Sequence, residues 1–269
     1  MPEPRTYDLV VIGAGSTGEN VASRAVEGGL TAAVVESHLV GGDCSYYACM
    51  PSKALLRGGQ ALEAARAVDG AAQAVTGPLD VAKTLARRDG FTSHWSDDGQ
   101  VAWLESAHID LVRGQGRLSG EREVTVTADD GSRTVLTARH AVCLATGSQA
   151  LVPPVEGLAD ASPWTAREAT SVQQVPASIV ILGGGVIGVE MATAYRSFGA
   201  DVTLVEGGPR VLANYEPFVG ELVQKSFEDR GIRVLTGQRA VRVDRDGGTV
   251  TLTTAGGGSV TAAEILVAT

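Results

Sequence analysis

Short, unbroken apolar runs alternate along this chain with longer segments of helical period. Leu9–Ile12 is such a run and reads as a strand buried on both faces. A glycine-rich turn follows, then Ser16–Glu27, whose apolar positions recur at helical spacing. Ala32–Val35 is the next apolar run. The same succession returns later as Ile179–Leu182, a helix over Val186–Phe198, and Val202–Val205. Ala54–Val75 and Val81–Glu105 also read as helices. Within Leu111–Arg139 the pattern changes to period two, in Glu123–Ala128 and Thr134–Thr137 around the turn Asp129–Gly131. That predicts a small antiparallel insertion. Pro153-Pro154 marks a linker, Leu222–Asp229 a helix, and Arg239–Val243 with Thr249–Thr253 a pair of strands. The expected fold class is α/β, with two Rossmann-like units and a small antiparallel β insertion.

The recurrence is a true internal repeat, at an offset of 170 residues (Gly13 to Gly183). Asp8–Glu36 aligns with Ser178–Glu206 without a gap. Gly13, Gly15 and Gly18 fall on Gly183, Gly185 and Gly188, and Glu36 falls on Glu206. A lone G-x-G-x-x-G is equally explained by a turn that binds nothing. Here each copy has a strand before it, a helix after it, and a carboxylate ending the second strand. In such a unit the first glycine permits a tight turn and the second lets backbone approach a pyrophosphate. The third allows close helix packing, and the helix N-terminus favours the anion. The carboxylate can accept hydrogen bonds from a ribose diol. Two dinucleotide-binding domains are expected, over residues 1–150 and 151–269.

Composition narrows the setting. The chain has 269 residues, 44% hydrophobic and 20% charged, enough for a sizeable core. Lys and Arg total 22 against 31 Asp and Glu, a net charge of -9, which argues against a nucleic-acid or anionic-membrane binder. No apolar run approaches the roughly 20 residues of a membrane span, and the N-terminus has no signal-like apolar segment. Three cysteines exclude a disulfide-stapled secreted scaffold. A soluble protein of the reducing cytoplasm is expected. The 34 glycines demand tight turns or close backbone approach, as the two motifs supply.

Directly after the first unit, Val40–Arg57 holds Cys44 and Cys49 in a C-x4-C arrangement. Pro51 suits the first turn of a helix running through Lys53. A thiol at a helix start near a lysine is expected to be reactive. The spacing itself leaves open a redox pair, two separate thiols, or half of a metal site. No partner set with zinc spacing accompanies them, so no metal is assigned. Cys143 lies in a strand and reads as a small core residue.

The run Gly41–Leu56 resembles the redox-disulfide segment of the flavin-dependent pyridine nucleotide–disulfide oxidoreductases, which include dihydrolipoyl dehydrogenase, glutathione reductase and mercuric reductase. Gly41, Gly42, Cys44, Cys49, Pro51, Ser52 and Lys53 all match that pattern. The resemblance implies FAD in the first unit, with Gly13, Gly15 and Gly18 at the pyrophosphate and Glu36 at the adenosine ribose. It implies that Cys49 faces the flavin and that Cys44 is the interchange thiol. Lys53 is then expected near the flavin, paired with Glu190, and Thr146-Gly147 forms a second flavin contact. The second unit is expected to bind NAD(P)H through Gly183, Gly185, Gly188 and Glu206. NADH is favoured, because Glu206 can accept from a 2′-hydroxyl and would repel a 2′-phosphate, although Arg210 lies nearby in sequence.

Two departures stand out. Asp43 replaces the usual Thr, and Tyr46-Tyr47-Ala48 replaces a small, glycine-containing segment. The tyrosines are expected to bulk up the disulfide face. None of His38, His94, His108 and His140 matches the C-terminal His–Glu pair of such enzymes, and surface or structural roles are expected for them. In the family, a further flavin-domain segment and a dimerisation domain follow a strand like Glu264–Thr269. The expectation is a C-terminally truncated chain, related to homodimers and weak or inactive by itself. The function expected is electron transfer from NAD(P)H through FAD to a Cys44–Cys49 disulfide and on to a disulfide-type acceptor. The alternatives are a quinone, dye or mercuric reductase, and a non-catalytic dinucleotide-binding fragment.

Overall fold

The computed structural model describes residues 5–269. In chain order the elements begin β1 (Arg5–Ile12), α1 (Ser16–Glu27), β2 (Ala32–Glu36), α2 (Gly42–Tyr46), α3 (Cys49–Arg66), α4 (Val81–Phe91) and α5 (Asp98–Ser106). Four strands follow: β3 (Ile109–Arg113), β4 (Gln115–Gly120), β5 (Glu123–Thr127) and β6 (Arg133–Leu144). Next come α6 (Ala166–Ser171), β7 (Ser178–Leu182), α7 (Val186–Ser197), β8 (Asp201–Val205), α8 (Pro217–Asp229) and β9 (Arg233–Leu235). The last four are β10 (Ala240–Asp246), β11 (Thr249–Thr254), β12 (Ser259–Ala262) and β13 (Glu264–Val267). The chain divides into two compact units. One holds residues 5–50 and Asp89–Gln149; the other holds Pro51–Arg88 and Ala150–Thr269.

The first unit is built on a six-stranded sheet of order β3-β2-β1-β6-β5-β4. Its β3-β2-β1-β6 part is parallel, and β4, β5 and the start of β6 are antiparallel. The antiparallel insertion is therefore continuous with the main sheet. Strand β6 pairs with β5 over Arg133–Thr137 and runs beside β1 as far as Leu144. Side-chain alternation separates two cores, one on each face. Val10, Ile12, Val35, Val124 and Leu136 lie on one face, and Val11, Ala22, Val34, Leu104 and Ile109 on the other. Cys143 packs partly buried against the second of these.

The second unit has a parallel sheet, β13-β7-β8-β9, and a separate antiparallel sheet, β10-β11-β12. One face of the parallel sheet packs Ile179, Ile181, Val202 and Leu204 against Met191 and Tyr195 of α7. The other packs Val180, Leu182, Val205 and Ile265 with Val243, Val250 and Leu252 of the antiparallel sheet. The segment 51–88 belongs to this unit for physical reasons. Leu55 and Leu85 are buried in its first core. A methyl group on Gly59 would come within 2.7 Å of Ser197 Cβ, so that α3 and α7 pack closely there. Arg230 pairs with Glu63 at 2.9 Å.

Several elements differ from the expectation. The predicted helix Val81–Glu105 breaks into α4 and α5, because Ser93, His94 and Trp95 take left-handed φ values of 50°, 52° and 56°. Helix α3 runs over Cys49–Arg66 rather than Ala54–Val75, and α8 starts at Pro217 rather than Leu222. Helix α6 carries a capping box, Thr165 with Glu168, whose T-x-x-E signature is present in the sequence. Among the described residues, no helix is long and apolar enough to cross a membrane.

Arg88 is fully buried, yet charged. Its guanidinium donates to the carbonyls of Thr170 and, at 2.7 Å, Val172, just past the last turn of α6. Tyr195 of α7 donates to the neighbouring Ala169 carbonyl at 2.8 Å. Helix α6 thus ends on side-chain donors. Arg88→Met should remove the guanidinium donations to these two buried carbonyls and destabilise the chain by about 2–4 kcal/mol, measured as a lower urea midpoint. Arg88→Lys should recover only part of that, since one ammonium cannot reproduce the planar fork.

Candidate active site: two glycine cradles and a cysteine pair

In each unit the strand-to-helix turn has the same construction. Gly13 N–H donates to Val35 O at 2.8 Å, and Gly183 N–H to Val205 O at 2.9 Å. Both glycines are left-handed, at φ 103° and 114°. A methyl group on Gly13 would overlap the Ala145 carbonyl, and one on Gly183 would come within 2.5 Å of the Ala268 carbonyl. A methyl group on Gly18 or Gly188 would overlap the carbonyl of Gly13 or Gly183. The third glycine thus lets the helix begin directly on the first, a closer demand than helix–strand packing. Gly15 and Gly185 are the N-caps of α1 and α7, and neither helix has a side-chain cap. First-turn N–H groups therefore stay open to an anion.

The two acidic residues play a part that the motif does not announce. Glu36 accepts from Ala14 N–H and His38 N–H, both at 2.8 Å. Glu206 accepts from Gly184 N–H at 2.6 Å and Gly208 N–H at 2.5 Å. Each carboxylate splints its glycine turn to the end of the second strand. A carboxylate has about four acceptor sites, so each retains capacity for ribose hydroxyls.

In the first unit, Gly41 and Gly42 are drawn onto this turn. Gly41 N–H donates to Ala14 O at 2.8 Å, and a methyl group on Gly42 would come within 2.8 Å of Gly15 Cα. The segment bearing both cysteines is thereby held against the first cradle. Cys44 lies within α2 and Cys49 opens α3, and both are half-buried. The turn between them closes on the Asp43 carbonyl, which accepts from Tyr47 N–H at 2.8 Å and Ala48 N–H at 2.6 Å. Ala48 is not left-handed, so no glycine is required there. Tyr46 is buried, accepts from Trp95 Nε1 on its carbonyl at 3.3 Å and donates its hydroxyl to Ser96 O at 3.3 Å. Burial, with Asp97 and Glu19 adding negative charge, pushes this hydroxyl up to about 12. Tyr47 stacks on His38, with ring centroids 6.2 Å apart. The tyrosines are thus engaged within the unit: Tyr46 locks α2 onto the left-handed turn, and Tyr47 lies against the loop after β2.

Thr146 N lies beside Gly13, 3.2 Å from where its methyl group would be, whereas a methyl group on Gly147 would meet nothing within 4 Å. Past Glu36, a cavity of about 320 Å³ is lined by Glu36, His38, Asp97, Arg113, Gly114 and Asp129. The sequence reading did not single out this end of the site. Arg113 is fixed there by bonds to His38 O (2.6 Å) and Asp97 (2.5 Å).

In the second unit, a cavity of about 1020 Å³ opens on Gly183–Gly185 and Glu206. Asn214, Tyr215, Gln238 and Arg239 also line it, and no spacing signal marked them. The loop bearing Asn214 and Tyr215 is pinned by Leu212 N–H to Gly184 O at 2.8 Å. Arg210 is turned into that loop, donating to Ala213 O and Tyr215 O at 2.9 and 2.8 Å. Lys53 of α3 is exposed and Glu190 of α7 is half-buried, and no ion pair joins them. Among the described residues, no group of three or more His, Cys, Asp or Glu could hold a metal ion.

Comparison with known proteins decides the family. Residues 7–269 match the family model for pyridine nucleotide-disulphide oxidoreductases. The chain belongs to this family. Pyridine nucleotide-disulphide oxidoreductases are FAD-dependent and use NAD(P)H. The chain is 36% identical over 234 residues to a dihydrolipoyl dehydrogenase of Chlorobaculum parvum, covering 87% of this chain and 50% of that protein. It is 28% identical over 249 residues to a mercuric reductase of Staphylococcus aureus, covering 90% of this chain and 43% of that one. It thus spans about half the length of these curated relatives. The fold is shared with the HOCl-induced flavoprotein disulfide reductase RclA of Escherichia coli, solved as a Cu(II) complex. The TM-score is 0.85 at 21% identity, over 98% of this chain and 56% of that one.

The crowding at the third glycine of each family motif gives a direct test. Gly188→Ala should lower stability by about 1–3 kcal/mol, read from the denaturation midpoint. Gly207→Ala, where a methyl group meets nothing within 4 Å, should stay within about 0.5 kcal/mol of wild type.

Proposed function

We propose that this chain is the nucleotide-binding and thiol-bearing part of an NADH-dependent disulfide oxidoreductase, with FAD in the first cradle and NADH in the second. The observation that carries this reading is the attachment of Gly41-Gly42 to Ala14 and Gly15. It fastens the C-x4-C segment to the turn that would hold the flavin dinucleotide. The first cradle fits such a dinucleotide, with open first-turn N–H groups, two glycine surfaces without side chains, and a cavity beyond Glu36 for its adenosine end. Bound FAD would supply two-electron transfer between nicotinamide and thiol pair.

The protein's own part is to bind, orient and exchange thiols. Cys44 and Cys49, joined as a disulfide, take up two electrons and two protons and become two thiols, while NADH and a proton are consumed and NAD⁺ leaves. As thiolate, Cys44 then attacks one sulfur of an external disulfide. The mixed disulfide is resolved by Cys49, which restores the Cys44–Cys49 bond and releases two acceptor thiols. In this reading Thr146 and Gly147 border the flavin site, and Lys53 and Glu190 keep only the roles that their motif positions imply. The acceptor is a disulfide, in keeping with the family name and the dihydrolipoyl dehydrogenase relatives. The setting is the cytoplasm, where reduced nicotinamide is available.

The preference for NADH rests on Glu206. Its carboxylate is fixed in the cavity wall, where a ribose 2′-hydroxyl could donate to it and a 2′-phosphate would meet like charge. One guanidinium nitrogen of Arg210 is taken up by two loop carbonyls and its Nε is buried, which turns this side chain into the loop.

Two measurements test the reading. Anaerobic addition of NADH to the FAD-loaded protein should expose two additional titratable thiols per chain, and Cys49→Ser should keep flavin binding but lose that gain and all turnover with a disulfide. Unchanged disulfide turnover in Cys49→Ser would rule out the thiol route. Calorimetry should show NADH binding at least about tenfold tighter than NADPH, or about 1.4 kcal/mol.

A further inference from the structure

The two cradles differ at a position that their common geometry does not explain. The residue after Gly18 is Glu19, and the residue after Gly188 is Val189. Each donates its backbone N–H to the carbonyl of the N-cap glycine, Gly15 or Gly185, at 3.0 Å. An apolar residue therefore serves this place in the fold, and the first cradle has a carboxylate there instead. Glu19 lies in the first turn of α1 and is half-buried. Its Oε1 is sealed from solvent and has no hydrogen-bond partner. A sealed, unpartnered carboxylate oxygen calls for an explanation that the fold does not supply.

The groups around Glu19 do not favour its charge. Glu36, at the end of β2, is a second carboxylate whose oxygens already accept from Ala14 and His38. Tyr46 of α2 gives its hydroxyl hydrogen to Ser96. Beyond Tyr46 lie Asp97 and Asp98, while Arg113 is spent on Asp97 and the His38 carbonyl. Burial first, and the charge of Glu36 second, hold the Glu19 carboxyl above the usual carboxylate range. A pyrophosphate at the open N-terminus of α1 would add further negative charge to the same turn.

We propose that Glu19 makes dinucleotide binding at the first cradle proton-linked: the neutral acid admits the pyrophosphate, and the carboxylate opposes it. The neutral form also supplies an O–H donor, which an ionised carboxyl lacks. Where Glu19 starts out ionised, FAD binding takes up a proton. This rests on the assignment of FAD to the first cradle made above.

The test is titration of the apoprotein with FAD from pH 5 to pH 9, by flavin fluorescence and by calorimetry in two buffers of different ionisation enthalpy. Wild type should bind up to about tenfold more weakly per pH unit once Glu19 ionises, with up to about one proton taken up per FAD. Glu19→Gln and Glu19→Val should bind with no such slope and no such uptake. Equal slopes in wild type and Glu19→Gln, or tighter wild-type binding at high pH, would overturn the proposal and leave the cofactor assignment intact. Absence of FAD binding at every pH would overturn both. Stability without FAD gives a separate reading. With the folded-state pKa raised, the native state holds more protons than the unfolded one, so stability falls as pH rises through the Glu19 titration. Glu19→Gln should therefore gain in Tm over wild type at pH 7 and not at pH 4. A pH-independent difference would contradict the proposal.

Discussion

The helix that follows each glycine turn starts with its third glycine pressed against the carbonyl of its first. Any side chain at Gly18 or Gly188 would collide with the backbone of the turn, so the two peptide segments define each other. Much else in each unit depends on that closeness. It brings the N-terminus of the helix to the C-terminal end of the strand, where an anion meets free N–H groups. It also leaves the turn within reach of a carboxylate from the neighbouring strand, and Glu36 and Glu206 each tie two backbone N–H groups there. The acidic residue thus has two employments, one mechanical and one available to a ribose.

From this common base the halves diverge. The first adds Gly41-Gly42, and with them a thiol segment that cannot drift from the cradle because backbone meets backbone. Tyr46 and the left-handed turn Ser93–Trp95 brace the same segment from the other side. Three consecutive residues in a conformation that L-amino acids avoid persist only where surrounding bonds hold them. The second half adds a loop locked by Leu212 and Arg210, which leaves a roomy cavity beside Glu206. One half fastens its cysteine segment to the glycine turn, and the other leaves open space beside its own.

What could be read from the sequence was what is local. The strand–turn–helix succession, the glycines and the terminal carboxylates are fixed by residues within one unit of chain, and the repeat doubled their weight. The break between α4 and α5 was invisible, because Ser93, His94 and Trp95 carry no glycine signal and are held by a bond to Tyr46 far back in the chain. The company kept by residues 51–88 was equally hidden. It is decided by Gly59 against Ser197 and Glu63 against Arg230, contacts across more than a hundred residues. The lining residues Asn214, Tyr215 and Arg239 belong to loops whose spacing has no motif. Helix α6 is the opposite case: its T-x-x-E box was legible, but its six residues are too few for a periodic signal.

Each cradle is closed by a strand that arrives late. Ala145 N–H donates to Ile12 O, and Ala268 N–H to Leu182 O, both at 2.8 Å, and these same alanines crowd Gly13 and Gly183. As the chain emerges from the ribosome, the first nucleotide turn is present long before the residues that complete it. Loop closure over that distance must come before the reward of pairing, which slows assembly and exposes strand edges meanwhile. The glycine motif therefore marks where each turn begins in sequence, and Ala145 and Ala268 mark when, in synthesis, its backbone can close.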